Sequence, residues 1–387
     1  MYLKLSTRLT YAVGILHCFG GGIASTSKLV KVPASTILLS QLKTADNHSA
    51  PTLNAALKTA VAVNAGDNQT FSYVEIDTGS AIFWVGAGQK YVPGPHTQII
   101  NQTFSESYGD GYANGTVYLD RVTIGEATVK SQLIGSASYI SGFQVSEPNF
   151  DGFLGLGPNG SNAHEISGYD TTPTFVQSLV SEGAIDEPVF GIYLSPLYSD
   201  SPEGDGEITF GGVDSSRLVG DISWIPLSDE LHWDFEGSYF GWGDEYIVNG
   251  TVYARTDSGA PFLGIPFDPY IWLLQNTPGI SADPNYGTLT FPANMSDSLP
   301  PVYIGVGDLN VTVPPSNGAG RYTIPKSLYS TLNITDDGEI HTFISTSGPD
   351  EVDLGFLFLQ IVYSAYDIHS ASEVANNRVG FALAASQ

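Results

Sequence analysis

Val74-Glu75-Ile76-Asp77-Thr78-Gly79-Ser80, followed by Ala81-Ile82-Phe83-Trp84, decides how this chain is read. An apolar, β-prone run carries one carboxylate to its end, where Asp-Thr-Gly turns the backbone. The device returns as Thr251-Val252-Tyr253-Ala254-Arg255-Thr256-Asp257-Ser258-Gly259-Ala260. Two acid–hydroxyl–glycine turns predict two similar halves, each contributing one Asp. Carboxylates held side by side cannot both ionise readily, so such a pair shares a proton and works as acid and base together. One Asp-Thr-Gly alone is weak evidence, because such triplets occur in ordinary turns.

Further landmarks follow in order: Tyr108-Gly109-Asp110-Gly111, Phe150-Asp151-Gly152-Phe153-Leu154-Gly155, and the ending Leu354-Gly355, Tyr366-Asp367 and Asn377-Arg378-Val379-Gly380-Phe381-Ala382. With both Asp turns and Trp84, they make the chain resemble the pepsin-like aspartic peptidases from about Ala60 to Ala382. Val85-Gly86-Ala87 and Gln89-Lys90-Tyr91-Val92 are similar to the fungal polyporopepsin branch. The resemblance implies an all-β, bilobal fold with pseudo-twofold related lobes and a few short helices. It implies an acid endopeptidase that binds peptide or protein substrates and statine-type inhibitors, works as a monomer and needs no cofactor or metal.

On the same resemblance Asp77 and Asp257 are the catalytic pair, a shared-proton dyad of the kind established for this family. Thr78 and Ser258 cross-link the two turns, Gly79 and Gly259 let backbone approach closely, and Ser80 supports Asp77. Tyr108, Gly109 and Asp110 belong to a flap over bound peptide, Trp84 braces the tyrosine, and Tyr193 lines the primed side. The expected mechanism is a water activated between the two aspartates.

Composition agrees with the β reading. The chain has 387 residues with 43 Gly and 12% aromatics, arranged as short Val/Ile/Thr/Tyr runs between turn residues. Asp and Glu outnumber Lys and Arg 40 to 14, giving a net charge of −26 and a pI near 4.2. That charge argues against nucleic acid and anionic membrane as partners and suits work in acid. Met1–Ala24 reads as a secretory signal, with Lys4 and Arg8 before an apolar run from Leu9 to Cys18. Nine Asn-x-Ser/Thr sequons, at Asn47, Asn68, Asn101, Asn114, Asn159, Asn249, Asn294, Asn310 and Asn333, fit a secreted glycoprotein. The only cysteine, Cys18, lies in that leader, so no disulfide is expected.

The division expected is residues 1–24 as signal, 25–56 as a short prosegment or flexible arm, 57–195 as the lobe with Asp77 and the flap, and 196–387 as the lobe with Asp257. Prosegments of zymogens in this family cover an acidic cleft with lysines, and Lys28, Lys31, Lys43 and Lys58 are candidates. Ala60–Ala65 and Thr70–Ile76 alternate as strands around Gly66-Asp67-Asn68. Strands also flank Tyr108–Gly115, a glycine-rich hairpin that is the flap by resemblance; without the flanking motifs, Asn114-Gly115 would read as an ordinary hairpin turn. Thr172–Gly183 predicts a helix capped by Thr172 and stopped by Gly183, and Asp268–Asn276 repeats it. Val352–Tyr366 reads as one buried strand.

Other chemistries lack anchors. Gly155-Leu156-Gly157-Pro158-Asn159-Gly160 matches a dinucleotide-binding pattern, but Pro and Asn-Gly stand where a helix must begin. The histidines have no ligand spacing, and no Gly-x-Ser-x-Gly is present. Glycosidase carboxylates stand roughly 5 Å or more apart and need no paired glycine turns.

Three positions depart from the family. Ala260 stands where relatives place a hydroxyl, which should raise the pair's pKa. Glu75 and Arg255 each precede an Asp by two residues, on the catalytic face. They either pair across the axis or read substrate, with Glu75 and Asp110 favouring Lys or Arg before the cleaved bond and Arg255 an acidic residue after it. Arg255 and Ala260 also leave a second reading open: a catalytically weak relative that binds proteins or glycans.

Overall fold

A computed structural model describes residues 29–38, 57–109, 111–143, 150–194, 206–229, 231–244, 246–284, 286–316, 320–329, 332, 334–368 and 377–385. The leader 1–24, Cys18, Asp110 and the 195/196 boundary lie outside the described residues, as does most of 25–56.

Alternating apolar residues fold as β1 (Val30–Leu38), β2 (Leu57–Ala65) and β3 (Gln69–Asp77). The β2–β3 turn uses left-handed backbone at Gly66 (φ 63°) and Asn68 (φ 51°), as the Gly-Asp-Asn signal predicted. The first lobe adds β4 (Phe83–Val85), β5 (Gln98–Ser107), β6 (Gly111–Ile124), β7 (Ala127–Gly142) and β8 (Gly152–Gly155). Five further strands continue this sheet: β9 (Val189–Tyr193), β10 (Gly206–Phe210), β11 (Leu218–Pro226), β22 (Val362–Asp367) and β23 (Arg378–Ala384). Its 13 strands run in the order β11-β23-β22-β9-β10-β1-β2-β3-β8-β4-β7-β6-β5.

The second lobe carries β12 (Asp234–Trp242), β13 (Tyr246–Thr256), β14 (Leu263–Ile265), β17 (Val302–Val306), β18 (Leu309–Val313), β20 (Ile344–Thr346) and β21 (Glu351–Leu354). They form a 7-stranded sheet, β18-β17-β12-β13-β21-β14-β20. A small sheet joins β15 (Ser281–Ala282), β16 (Leu289–Phe291) and β19 (Ile340–His341).

The lobes repeat one another around the Asp turns. β3 runs parallel to β8 with Asp77 opposite Gly155, and β4 lies antiparallel to β8. Likewise β13 runs parallel to β21 with Thr256 opposite Leu354, and β14 lies antiparallel to β21. Gly155 N–H donates to Ile82 O and Gly355 N–H to Phe262 O, both at 3.1 Å. Trp233, fully buried against Phe190 and Tyr366, sends its Nε1–H to Leu156 O at 3.0 Å and so ties the two halves.

Several local expectations change. Val30–Leu38 is a strand, not a loose arm: Val30–Ala34 pair with β10 and Ser35–Leu38 with β2, so one strand satisfies two otherwise open sheet edges. Helix α1 (Phe175–Ser181) is capped by Thr174 with Gln177 in a capping box, because Thr172 is buried and its backbone is held by the Asn162 amide. Helix α2 (Phe267–Asn276) starts near the expected Asp268. Val352–Tyr366 is not one strand, since Gly355 opens the short helix α3 (Phe356–Leu359) between β21 and β22. A Cβ at Gly355 would lie 2.2 Å from Phe262 O, so the backbones cross there. Asn114-Gly115 is no turn either. It lies inside β6 at a register shift, and the hairpin closes at Tyr108–Gly111.

Lys31, expected over the cleft, instead reaches Asp214 and Glu207, with Arg217 also on Glu207. Burial works to raise the Asp214 carboxyl, yet the Lys31 ammonium and the Ser216 hydroxyl and amide outweigh it and hold the group well below the usual carboxylate range. A depressed pKa adds stability that is complete above the unfolded aspartate value and fades as pH falls below it. Lys31→Met should therefore cost about 1 kcal/mol at neutral pH, a figure kept small because the lysine is half exposed. Thermal unfolding should show that penalty unchanged down to about pH 4 and shrinking below it.

Candidate active site

Each Asp turn ends a buried strand, which fixes the direction of its carboxylate. Gly79 N–H donates to Asp77 Oδ1 at 2.8 Å, and Gly259 N–H to Asp257 Oδ1 at 2.9 Å. The neighbouring hydroxyls then cross the axis. Thr78 N–H donates to Ser258 Oγ at 3.0 Å, and Ser258 N–H donates to Thr78 Oγ1 at 2.9 Å. Ser258 Oγ–H continues to Ile76 O at 2.8 Å and Thr78 Oγ1–H to Thr256 O at 3.4 Å. Thr78 and Ser258 are both fully buried, so water cannot replace these bonds.

This grip brings the Asp77 and Asp257 carboxyls side by side. The glycines leave no space for a side chain: a Cβ at Gly79 would lie 2.7 Å from Asp257 Cγ, and one at Gly259 would lie 2.9 Å from Asp77 Oδ1. Burial, then the charge of Asp77, pushes the Asp257 carboxyl far up, with Asp353 adding to the rise and the Gly259 amide opposing it. Such a site keeps one proton between two acids well above the ordinary aspartate range. The lobes are not equivalent, because the Ser80 hydroxyl donates to Asp77 Oδ2 whereas Ala260 has no side-chain donor for the Asp257 carboxyl.

Over the pair, β5 and β6 form the hairpin that ends in Tyr108, Gly109 and Gly111, closed by Tyr108 N–H to Gly111 O at 2.8 Å. Trp84 Nε1–H donates to the Tyr108 hydroxyl oxygen at 2.7 Å. The tyrosine ring stacks on Phe153, 4.7 Å between centroids, and meets Phe143 edge-on. The expected brace is therefore present as geometry. Asp110 lies outside the described residues.

Three expected contributors sit elsewhere than the sequence suggested. Tyr193 is 2% exposed and packs with Tyr363 and Ala365 beneath the Arg217 guanidinium, so it presents no surface to a peptide. Glu75 is only 1% exposed, opposite Ala60 and Phe153 in its sheet, so it offers almost no surface to a substrate. Arg255 does not pair with Glu75. Its Nε and Nη2 bond Asp234 at 2.7 and 3.0 Å, because β12 and β13 place those two residues opposite one another. Glu351 and Asp353 stand close to the same guanidinium. Together with Asp229, Ser228 and Tyr253 they line a cavity of about 220 Å³ whose charge is net negative despite the arginine.

His232 is a contributor the sequence reading missed. Its ring lies beside the Gly79 backbone, and burial followed by the Arg255 charge pulls its pKa down. A lone histidine next to Trp233 carries no spacing signal; only the fold of the chain before β12 brings it to Gly79. Among the described residues no group of His, Cys, Asp and Glu could hold a metal ion.

Two outcomes follow. Ser258→Ala strips Thr78 N–H of its acceptor and Ile76 O of its donor inside the core, costing roughly 2–4 kcal/mol of stability in chemical denaturation. Ala260→Ser gives Asp257 a donor for its ionised form and lowers its pKa. The neutral-side limb of the kcat/KM profile should then move to lower pH.

Residues 59–384 match the model of the family "Eukaryotic aspartyl protease". The chain is 31% identical to human (Homo sapiens) gastricsin over 332 residues, covering 81% of this chain and 78% of that one. It is 28% identical to polyporopepsin of Irpex lacteus over 345 residues, covering 86% and 96%. The crystal structure of aspartic proteinase from Irpex lacteus superposes with a TM-score of 0.76 at 27% identity, covering 92% of this chain and 98% of that one. With both Asp turns joined across the axis and the family's match running through both lobes, the chain belongs to the eukaryotic aspartyl proteases, and it is an aspartic endopeptidase of the pepsin-like kind.

Proposed function

We propose that this endopeptidase is a secreted glycoprotein that cleaves extended peptides in acid, using one water activated between Asp77 and Asp257. The observation that carries the reading is the close approach of those two carboxyls, each fixed by its own glycine amide. The ionised aspartate takes a proton from the water, whose oxygen bonds to the peptide carbonyl carbon. The protonated aspartate meanwhile donates its hydrogen to the carbonyl oxygen. Collapse of the tetrahedral species breaks the C–N bond as the nitrogen receives a proton from the first aspartate, while one hydroxyl returns its proton to the second aspartate and re-forms C=O. The raised Asp257 carboxyl supports this cycle, since one member has to stay protonated.

Substrate reading follows the charges now visible. With Arg255 held by Asp234 and flanked by Glu351 and Asp353, its charge is already met within its own lobe, which gives no support to selection of an acidic residue by Arg255. Exposed sequon asparagines at Asn68, Asn101, Asn294 and Asn310 support a glycosylated exterior. No helix among the described residues is long and apolar enough to cross a membrane.

Asp77→Asn and Asp257→Asn should each lower kcat/KM on a denatured protein at about pH 4 by roughly 10²–10⁴-fold while leaving thermal unfolding intact. Full activity in either variant would remove the dyad mechanism. Protein collected from the medium of a eukaryotic host should begin after Ala24 and lose mass on enzymatic deglycosylation.

A further inference from the structure

Glu106 is 4% exposed on β5, two residues before the flap tyrosine, and the dyad chemistry makes no use of it. Its Oε2 accepts the Tyr108 hydroxyl hydrogen at 2.5 Å, while the same hydroxyl oxygen accepts from Trp84 Nε1 at 2.7 Å. Tyr108 is thus held at both ends of its polar atom. A second acid stands beside the first. Phe104 pairs with Ile166, and Ser105 N–H donates to Glu165 O at 3.0 Å, so the chain brings Glu165 next to β5. Glu165 Oε2 is buried without a hydrogen-bond partner.

We propose that Glu106 is the positioning residue of the flap, holding the Tyr108 hydroxyl against Trp84 above the aspartate pair, and that it does so as a neutral acid. This rests on the peptidase reading of the cleft. The groups facing Glu106 are Glu165 from the adjoining segment, Tyr108 on its own strand and Asp77 from β3; across the hairpin β6 places Ala113, which does not titrate. No cation appears among them. Burial, then Glu165, then Asp77 push the Glu106 carboxyl up, and the Tyr108 hydrogen bond only partly opposes them. Burial raises Glu165 as well.

The direction of the pH effect follows. In an open, hydrated flap Glu106 titrates near the ordinary glutamate value, about 4.3. In the closed flap it is raised, so closure is unopposed below about pH 4.3 and progressively disfavoured above it. Ionisation would place a buried charge beside Glu165 and Asp77 with no cation to meet it, which only water entry can relieve. The flap acids and the catalytic pair then limit activity on the same side of the profile, through different steps.

The test compares the full chain with Glu106→Gln and Glu106→Leu. It reads kcat/KM from about pH 3 to about pH 7, where carboxyls titrate, and hydrogen–deuterium exchange of the flap, residues 98–124. Gln accepts from Tyr108 through its amide oxygen and cannot ionise. Its neutral-side limb should move up by about half a pH unit or more, with flap protection persisting where the parent loses it. Leu removes the acceptor, so flap exchange should rise at every pH and kcat/KM at about pH 4 should fall about tenfold, chiefly in KM. Thermal unfolding controls for folding, and the near-isosteric Gln variant decides. A Gln profile and flap exchange that superpose on the parent overturn the proposal, as does a Leu variant with parental flap protection. Exchange is read without turnover, so an inactive parent would sink the peptidase reading while flap protection in the two variants still decided the role of Glu106.

Discussion

The structure depends on the reciprocal hydrogen bonds between Thr78 and Ser258. Strands from both lobes share the 13-stranded sheet. What neither can do alone is hold two carboxylates in contact against their mutual repulsion. Two buried hydroxyls, each accepting from the opposite backbone, provide that restraint where no water competes. Glycines at 79 and 259 complete it, because any side chain there would occupy the space of the opposing carboxyl.

Around this symmetric centre the environment is asymmetric. Asp77 has a serine donor and Asp257 has none, so the proton is held more firmly on the second lobe. The first lobe compensates in kind with an acid-rich flap base, Glu106 and Glu165 under Tyr108. On the second lobe Asp234 absorbs Arg255, and the remaining carboxylates leave that cavity negative. A chain of net charge −26 with buried acids at its centre is built for conditions in which many carboxyls keep their protons.

Legibility varied with the range of the interaction. The Asp-Thr-Gly and Asp-Ser-Gly turns, the strands on either side of Gly66, the helix before Gly183 and the flap around Tyr108 all rest on neighbours in the chain, and they were readable. Asn114-Gly115, a good turn pair in isolation, instead marks a bulge inside a long strand. Val352–Tyr366 misled because periodicity cannot tell one buried strand from a strand, a helical turn and another strand. Tyr193 and Glu75 misled because alternation gives a face without saying what covers that face.

The amino-acid sequence by itself determined the family, the two half-sites and the identity of the paired acids, because each motif is a short run whose backbone geometry its own residues impose. Only the tertiary structure decided what partners those motifs meet: Arg255 with Asp234, Lys31 with Asp214, His232 with Gly79 and Glu106 with Tyr108. Most of these contacts join residues far apart in the chain, and all are set by strand register and lobe packing. Electrostatic energy depends on distance and burial, neither of which a linear order of residues contains.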